Sequence, residues 1–181
     1  IKSVGGASRT VADIGSHWFD TAMFILGEKI VKVNAKFSTV HKQRKKYDVG
    51  GETFASQSGS NYVPVDIDTE DIALIMVEFA NGVCGTVTLS QVSAGRKNDL
   101  EIAVDGSNYA MEWKQEDADK LMVNDRIAGN TLRYAGAEML SGTAKRYGTL
   151  PSGHPVGWHD ALRNGIREFY EDIRSNNTES C

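Results

Sequence analysis

The sequence has few cysteines, no long apolar run and only a small excess of negative charge. Its two cysteines, Cys84 and Cys181, cannot form a disulfide framework, and such usage is typical of a reducing cytosol. No apolar stretch is long enough to span a membrane, and the first residues do not read as a signal peptide, so we expect a cytoplasmic protein. The net charge of −4 gives no reason to expect nucleic acid or a membrane surface as a partner.

Motifs of several reaction classes are also missing. The sequence has neither a G-x-S-x-G nucleophile elbow nor a P-loop, so acyl transfer and phosphoryl transfer have no support. The four histidines show no compact ligand spacing, and no cysteine cluster accompanies them, so we expect no metal site. They are His17, His41, His154 and His159.

The remaining composition is that of one soluble globular domain. The chain has 181 residues, of which 40% are hydrophobic and 24% are charged. This length suffices for one domain with a sizeable core.

Apolar periodicity predicts a first helix over residues 10–26. Thr10 is a suitable N-cap, and Gly27 suits a left-handed C-cap. One apolar stripe is formed by Ile14, Trp18, Ala22 and Ile25, and it is widened by Phe19, Met23 and Leu26. Because Asp13, His17 and Asp20 lie on a different side, we expect them to face solvent or a ligand.

A series of strands follows the first helix. Strands are predicted at residues 29–42, 70–80, 83–93, 100–104, 109–113, 120–124 and 131–134. Asn81-Gly82 is a strong hairpin signal, and Asp105-Gly106-Ser107 predicts a second hairpin. For residues 47–68 we predict a long loop without regular structure. The basic run at residues 42–46 predicts a solvated loop, with a phosphate-binding patch as the alternative.

A last helix is predicted over residues 158–175. Its apolar residues are spaced for one buried stripe, which consists of Trp158, Leu162, Ile166, Phe169 and Ile173. The predicted fold class is α+β, with an open, mainly antiparallel sheet and helices on one face. The bare face of such a sheet needs cover, and we expect a homo-oligomer that assembles through it.

Asp13 and His17 are the first candidates for catalysis. Their spacing of four residues in a helix places a carboxylate and an imidazole on one face, about one turn apart. A carboxylate so placed can orient the ring and favour its protonated form. The alternative is a surface helix in which Asp13 stabilises the first turn and His17 is only solvated. Gly15 costs helix stability, so a tight backbone contact or a ligand is expected beside it.

Two other segments are candidates for substrate binding. His154 lies in a loop shaped by glycine and proline just before the last helix, where it either binds substrate or belongs to a simple turn. His159 is expected on the helix surface. Residues 90–98 contain hydroxyls, an amide and an arginine that can hydrogen-bond a polyol, although a solvated hairpin loop explains them equally well.

Several motifs together resemble one enzyme family. They are Gly5-Gly6, Asp13-Ile14-Gly15-Ser16-His17-Trp18-Phe19-Asp20, Leu26-Gly27, Val83-Cys84-Gly85-Thr86, Glu101-Ile102-Ala103-Val104-Asp105-Gly106 and Gly153-His154-Pro155-Val156-Gly157-Trp158. In order and spacing they resemble the substrate domain of the glucose–fructose oxidoreductase/inositol dehydrogenase family (Gfo/Idh/MocA). The resemblance implies that residues 1–181 are a C-terminal substrate-binding and oligomerisation domain, with a fold like the C-terminal domain of dihydrodipicolinate reductase.

The resemblance also implies a reaction. His17 would act in proton transfer at the hydroxyl or carbonyl of a sugar, inositol or related polyol, and Asp13 would bind substrate and orient His17. NAD or NADP would be bound mainly by an N-terminal Rossmann domain. The family's G-x-G-x-x-G turn and its Glu-Lys-Pro motif are absent from this sequence, so the chain alone is expected to be inactive. Two alternatives stay open: a stand-alone binding or oligomerisation module without catalysis, and redox-neutral chemistry on a bound cofactor.

Overall fold

The structure is a computed structural model that describes residues 1–47 and 61–178 of the chain. It divides into two compact units, Ile1–Gly95 and Arg96–Cys181. The helices are α1 (Lys2–Gly5), α2 (Ser16–Leu26), α3 (Ala144–Tyr147) and α4 (Trp158–Ser175), with a π-helical turn at Val11–Gly15 and a 3-10 turn at Gln115–Asp117. The strands are β1 (Ile30–Ser38), β2 (Gln43–Tyr47), β3 (Tyr62–Asp66), β4 (Ile72–Phe79), β5 (Cys84–Ser90), β6 (Glu101–Asp105), β7 (Tyr109–Lys114), β8 (Lys120–Asp125) and β9 (Gly129–Tyr134).

The first unit is built on an antiparallel sheet with the strand order β1-β4-β5. Alternate residues of β4 and β5 are buried on one face, namely Ala73, Ile75, Val77, Phe79, Val87 and Leu89. The turn between these strands confirms the hairpin prediction, because Gly82 has a φ of 86° and the Asn81 side chain accepts a hydrogen bond from the Val83 N–H. On the opposite face, Leu74 and Met76 are exposed.

The prediction for residues 29–42 was wrong at its C-terminal end. Strand β1 ends at Ser38, because the N–H groups of Val40 and His41 turn away from the ladder and donate to the Asp71 carboxylate. The basic run then continues as β2, which pairs with β3 in a separate two-stranded sheet. The prediction of a solvated loop at residues 42–46 was therefore wrong, because most of this run lies in β2. Part of the long loop predicted at residues 47–68 is likewise a strand, β3. Residues 48–60 lie outside the described residues.

The first helix ends as predicted but is not regular throughout. Gly27 adopts the left-handed conformation with a φ of 64°, which confirms the predicted C-cap. At the N-terminal end the chain forms a π-helical turn, in which the Ser16 N–H donates to the Val11 carbonyl. Ala22 is buried and Ile25 is exposed, so the apolar stripe is only partly covered.

The second unit contains a four-stranded antiparallel meander, β6-β7-β8-β9, which confirms the second hairpin and the two later strands. One face carries the buried Ile102 and Val123. The other is more polar and contains an ion pair between Lys114 and Glu101, although Met122 and the exposed Leu132 also lie on it. Antiparallel sheets commonly present one apolar and one polar face in this way.

Helix α4 has the predicted bounds, but its apolar stripe is not buried. Its five members are between 49% and 65% exposed. Helix α3 contacts the polar edge of α4 instead, where the Asn164 side chain donates to the Tyr147 carbonyl and Arg146 pairs with Glu168. The prediction of a buried stripe was therefore wrong for this chain.

These elements confirm the α+β fold class with antiparallel sheets. Among the described residues, strands β1 to β9 follow one another without an α-helix between them, whereas strands and helices alternate in parallel α/β folds. Within the described ranges, no helix combines the length and the apolar character needed to cross a membrane.

Candidate active site

The two candidate catalytic residues lie in consecutive turns of the same helical segment of the first unit. Asp13 belongs to the π-helical turn and His17 to the start of α2, and both side chains are exposed. Among the described residues no side-chain hydrogen bond or ion pair joins Asp13 to His17. Orientation of His17 by Asp13 therefore stays a prediction.

The Asp13 carboxylate has a different partner. The Gln91 side chain, 78 residues further along the chain, donates from Nε2 to Asp13 Oδ2 over 2.7 Å. Gln91 follows directly after β5 and belongs to the segment expected to hydrogen-bond a polyol. Its side-chain amide thus forms a hydrogen bond with Asp13, a candidate catalytic residue.

Glu70 stabilises the start of the helical segment. Its Oε1 accepts hydrogen bonds from the Ser8 hydroxyl at 2.6 Å and from the N–H groups of Arg9 and Val11, both at 3.0 Å. Burial raises the pKa of the Glu70 carboxyl, but these donors outweigh that effect and bring its pKa below the usual range. The prediction that the Thr10 side chain caps the helix was wrong, because its hydroxyl donates to the Glu70 carbonyl.

Asp71 is a buried carboxylate with four donors. It accepts hydrogen bonds from the N–H groups of Val40 at 2.7 Å and His41 at 2.9 Å, and it forms ion pairs with Arg9 and Arg44. Its side chain is fully buried, while both arginines are partly exposed. Burial raises the pKa of the Asp71 carboxyl, but the backbone donors and the two positive charges outweigh that effect, so its pKa lies below the usual range.

A hollow of about 390 Å³ lies beside Asp13. Its lining consists of Ile1, Gly5, Ser8, Arg9, Ala12, Asp13 and Thr69. The Thr69 hydroxyl is buried and has no hydrogen-bond partner in the described structure. The hollow thus offers the exposed Asp13 carboxylate to a polar ligand, whereas the Arg9 guanidinium is paired with Asp71.

His154 belongs to the second unit, in the loop that precedes α4. It is exposed, and its Nδ1 lies 3.2 Å from the Pro151 carbonyl oxygen. A proton on Nδ1 would satisfy that contact and leave Nε2 as an acceptor. His159 lies exposed on α4, as predicted. Across the described ranges, no group of three or more His, Cys, Asp or Glu side chains could hold a metal ion.

Sequence reasoning missed the roles of Glu70, Asp71 and their arginine partners. The sequence did contain a signal for Asp71, because the buried residues of β4 alternate and Asp71 stands two residues before Ala73 in the same phase. A charged residue in the buried phase of a strand needs partners of opposite charge or several hydrogen-bond donors. The local sequence pattern does not show which residues donate to Asp71.

Comparison with known proteins gives a family model and several relatives. The model, described as the GFO/IDH/MocA C-terminal domain, matches residues 3–112. A levoglucosan dehydrogenase from Pseudarthrobacter phenanthrenivorans is 30% identical over 122 residues, which cover 67% of this chain and 31% of that protein.

Solved structures share the fold. An oxidoreductase domain protein from Kribbella flavida matches with a TM-score of 0.76 at 24% identity, covering 96% of this chain and 44% of the other. An inositol dehydrogenase homologue from Azotobacter vinelandii, solved with NADH and myo-inositol, matches with a TM-score of 0.70 at 22% identity, covering 88% of this chain and 36% of the other. The chain therefore spans less than half the length of these relatives.

Proposed function

The chain belongs to the GFO/IDH/MocA family, and from that premise we propose that it is the substrate-binding part of an NAD(P)-dependent oxidoreductase. Its substrate would be a sugar, an inositol or a related polyol. The observation that carries the proposal is the exposed Asp13 carboxylate beside a hollow of about 390 Å³, with the exposed His17 imidazole in the next turn. Relatives include a levoglucosan dehydrogenase and an inositol dehydrogenase homologue solved with NADH.

The chain's own share of such a reaction concerns the proton and the position of the substrate. Oxidation of an alcohol to a carbonyl removes the hydroxyl proton and a hydride from the carbon. In this proposal His17 accepts the hydroxyl proton as a general base and returns it in the reverse direction. Asp13 Oδ2 is occupied by Gln91, so Oδ1 accepts a hydrogen bond from a substrate hydroxyl.

The described residues do not by themselves fit a dinucleotide. Every pair of described strands is antiparallel, and none of these strands leads into a helix through a glycine-rich turn. A parallel β-α-β unit with such a turn is the usual dinucleotide site. NAD or NADP would serve as the hydride carrier, bound mainly by a further part of the protein.

His154 remains a candidate for substrate binding on the chemistry of its own loop. Its Nδ1 lies close to the Pro151 carbonyl, while Nε2 has no hydrogen-bond partner in the described structure. An imidazole held through one nitrogen presents the other to a hydroxyl in a defined orientation.

We further propose that the protein is a cytoplasmic homo-oligomer. Leu74 and Met76 are 50% and 61% exposed on the sheet face opposite the buried residues of β4. A second copy of the chain would remove this apolar surface from water.

The proposal is tested with the complete gene product, NAD or NADP, and a panel that includes levoglucosan and myo-inositol. Reduction of the nicotinamide is followed by absorbance. We expect turnover of at least one polyol, and His17→Gln is expected to lower kcat by about 100-fold or more, because the base is removed. The isolated 181-residue chain is expected to show no turnover.

His41→Gln is the matched control, because it makes the same substitution at an exposed histidine whose backbone N–H, rather than its ring, contacts Asp71. It should keep the activity of the unsubstituted protein. Equal activities of His17→Gln and His41→Gln would refute the role of His17. Tight polyol binding without reduction of either nucleotide would favour a binding module without catalysis.

A further inference from the structure

The end of strand β5 reaches the candidate catalytic turn through Gln91. Leu89 and Gln91 are two residues apart and therefore point to the same face of the strand. Leu89 is buried on the face that the helical segment covers, and Gln91 extends this phase one step beyond the strand end. The Gln91 N–H donates to the Asp71 carbonyl over 3.0 Å. The backbone that carries the Gln91 side chain is thus fixed to the buried Asp71.

The orientation of the Gln91 amide is determined by the Asp13 carboxylate. An ionised carboxylate only accepts hydrogen bonds, so the Gln91 nitrogen must be the atom that faces Asp13 Oδ2 at 2.7 Å. The Gln91 oxygen then lies 3.2 Å from the Thr10 hydroxyl, which is also 2.8 Å from the Glu70 carbonyl. Thr10 is fully buried. The single proton of the Thr10 hydroxyl is therefore shared between the Glu70 carbonyl and the Gln91 oxygen, and the Gln91 nitrogen holds the Asp13 carboxylate.

The same strand contacts the helical segment through close packing. A Cβ added to Gly15 would lie 2.8 Å from the Leu89 side chain and 3.2 Å from Phe19. The absence of a side chain at Gly15 therefore lets the π-helical turn approach β5 closely. This contact sets the height of the turn above the strand, and the hydrogen bond to Gln91 sets the rotation of the Asp13 carboxylate.

We propose that Gln91 is a positioning residue for the reaction, which holds Asp13 Oδ2 so that Asp13 Oδ1 faces the hollow and receives a substrate hydroxyl. The inference rests on the proposed function. Asp13 is exposed and makes no ion pair in the described structure, so without Gln91 its carboxylate would rotate among several orientations. A substrate bound to a rotating carboxylate would spend less time in the geometry that reacts.

The first experiment requires no substrate. Crystal structures of the complete gene product and of its Gln91→Met variant show the orientation of the Asp13 side chain directly. Methionine has a length similar to that of glutamine but cannot donate to a carboxylate. We expect the Asp13–Gln91 hydrogen bond in the unsubstituted protein, and a changed or disordered Asp13 side chain in Gln91→Met. An Asp13 side chain that keeps its orientation in the variant would overturn the positioning role.

The second experiment measures steady-state kinetics with the polyol that the unsubstituted protein oxidises. Gln91→Met is expected to lower kcat/KM by roughly 10- to 100-fold, mainly through kcat, because misplacement of the reacting groups has effects of this size. Gln43→Met is the matched control, since Gln43 also donates to an aspartate, Asp66, over 2.8 Å in the same unit. It should leave both kcat and KM unchanged.

The outcomes separate this inference from the proposed function. A loss of thermal stability in Gln91→Met with unchanged kcat and KM would indicate a purely structural role and overturn the inference, while the proposed function would stand. If the unsubstituted protein oxidised no polyol with either nucleotide, the proposed function would fail, and the positioning role would fail with it.

Discussion

At the scale of single residues, the first unit depends on one buried carboxylate. Asp71 is completely buried, and two backbone N–H groups and two arginines, Arg9 and Arg44, converge on it. Breaking a buried ion pair by removing one partner is strongly destabilising, because the remaining charges lose their compensation. Asp71 also joins the strand end of β1, the start of β4 and the segment before the candidate active site.

Asp71→Asn is expected to lower the free energy of unfolding by about 3 kcal/mol at neutral pH. The folded-state pKa of Asp71 lies below its unfolded value, so its contribution is fully present above the unfolded value, about 3.9, and is lost as the pH falls through the folded value. Urea unfolding of both proteins from pH 7 downwards measures the difference, which should stay constant to about pH 4 and narrow below.

Asp66→Asn serves as the control, since Asp66 is exposed on β3 and, among the described residues, its side chain accepts a hydrogen bond only from Gln43. Its effect should stay within about 0.5 kcal/mol. An equal effect of both substitutions would contradict the assigned importance of the buried cluster.

At the scale of secondary-structure elements, the glycine in the π-helical turn decides how closely helix and sheet pack. Gly15 is buried, and an added Cβ would meet the side chains of Leu89, Phe19 and Val11 within 3.4 Å. In α4 a second glycine, Gly165, lies in a helix interior where an added Cβ would meet nothing within 4 Å. The two positions therefore separate helix propensity from packing.

Gly15→Ala is expected to destabilise the first unit by roughly 1 kcal/mol. Overpacking lowers the free energy of unfolding by about 1–3 kcal/mol, and the better helix propensity of alanine offsets about 1 kcal/mol of that loss. Gly165→Ala should instead stabilise the second unit by about 0.5–1 kcal/mol. Chemical denaturation of the two variants checks both signs. Stabilisation by Gly15→Ala would show that the contact with Leu89 is not tight.

At the scale of the whole molecule, each unit has one apolar and one more polar sheet face. In the first unit the face opposite the buried residues mixes exposed Leu74 and Met76 with the ion pair of Lys32 and Glu78. A face of this composition is compatible with a subunit interface that has an apolar centre and a charged rim.

Met76→Lys is expected to convert the proposed oligomer of the complete gene product into a smaller species, because a lysine at the centre of the interface would be buried without a partner. Light scattering coupled to size-exclusion chromatography measures the native mass. Ile127→Lys is the control, since Ile127 is 93% exposed in the turn after β8. A native mass that Met76→Lys leaves unchanged would exclude this face as the interface.

Local chemistry in the sequence determined which elements form and where several of them end. Asn81-Gly82 and Gly27 supply residues that tolerate a positive φ, and the structure has a hairpin turn and a helix end there. Apolar alternation located β4 and β5, and a periodicity of 3.6 residues located α4. These signals act within a few residues, so they can be read without knowledge of the fold.

The tertiary structure alone decided which side chains meet. Gln91 reaches Asp13 across 78 residues of sequence, and Glu70 caps a helix whose first N–H groups lie about 60 residues before it. The periodicity of α4 predicted the helix and its apolar stripe, but the predicted burial of that stripe was wrong, because its members are exposed among the described residues. Contacts of this range depend on how strands pair and how closely a helix approaches them, and no local pattern contains that information.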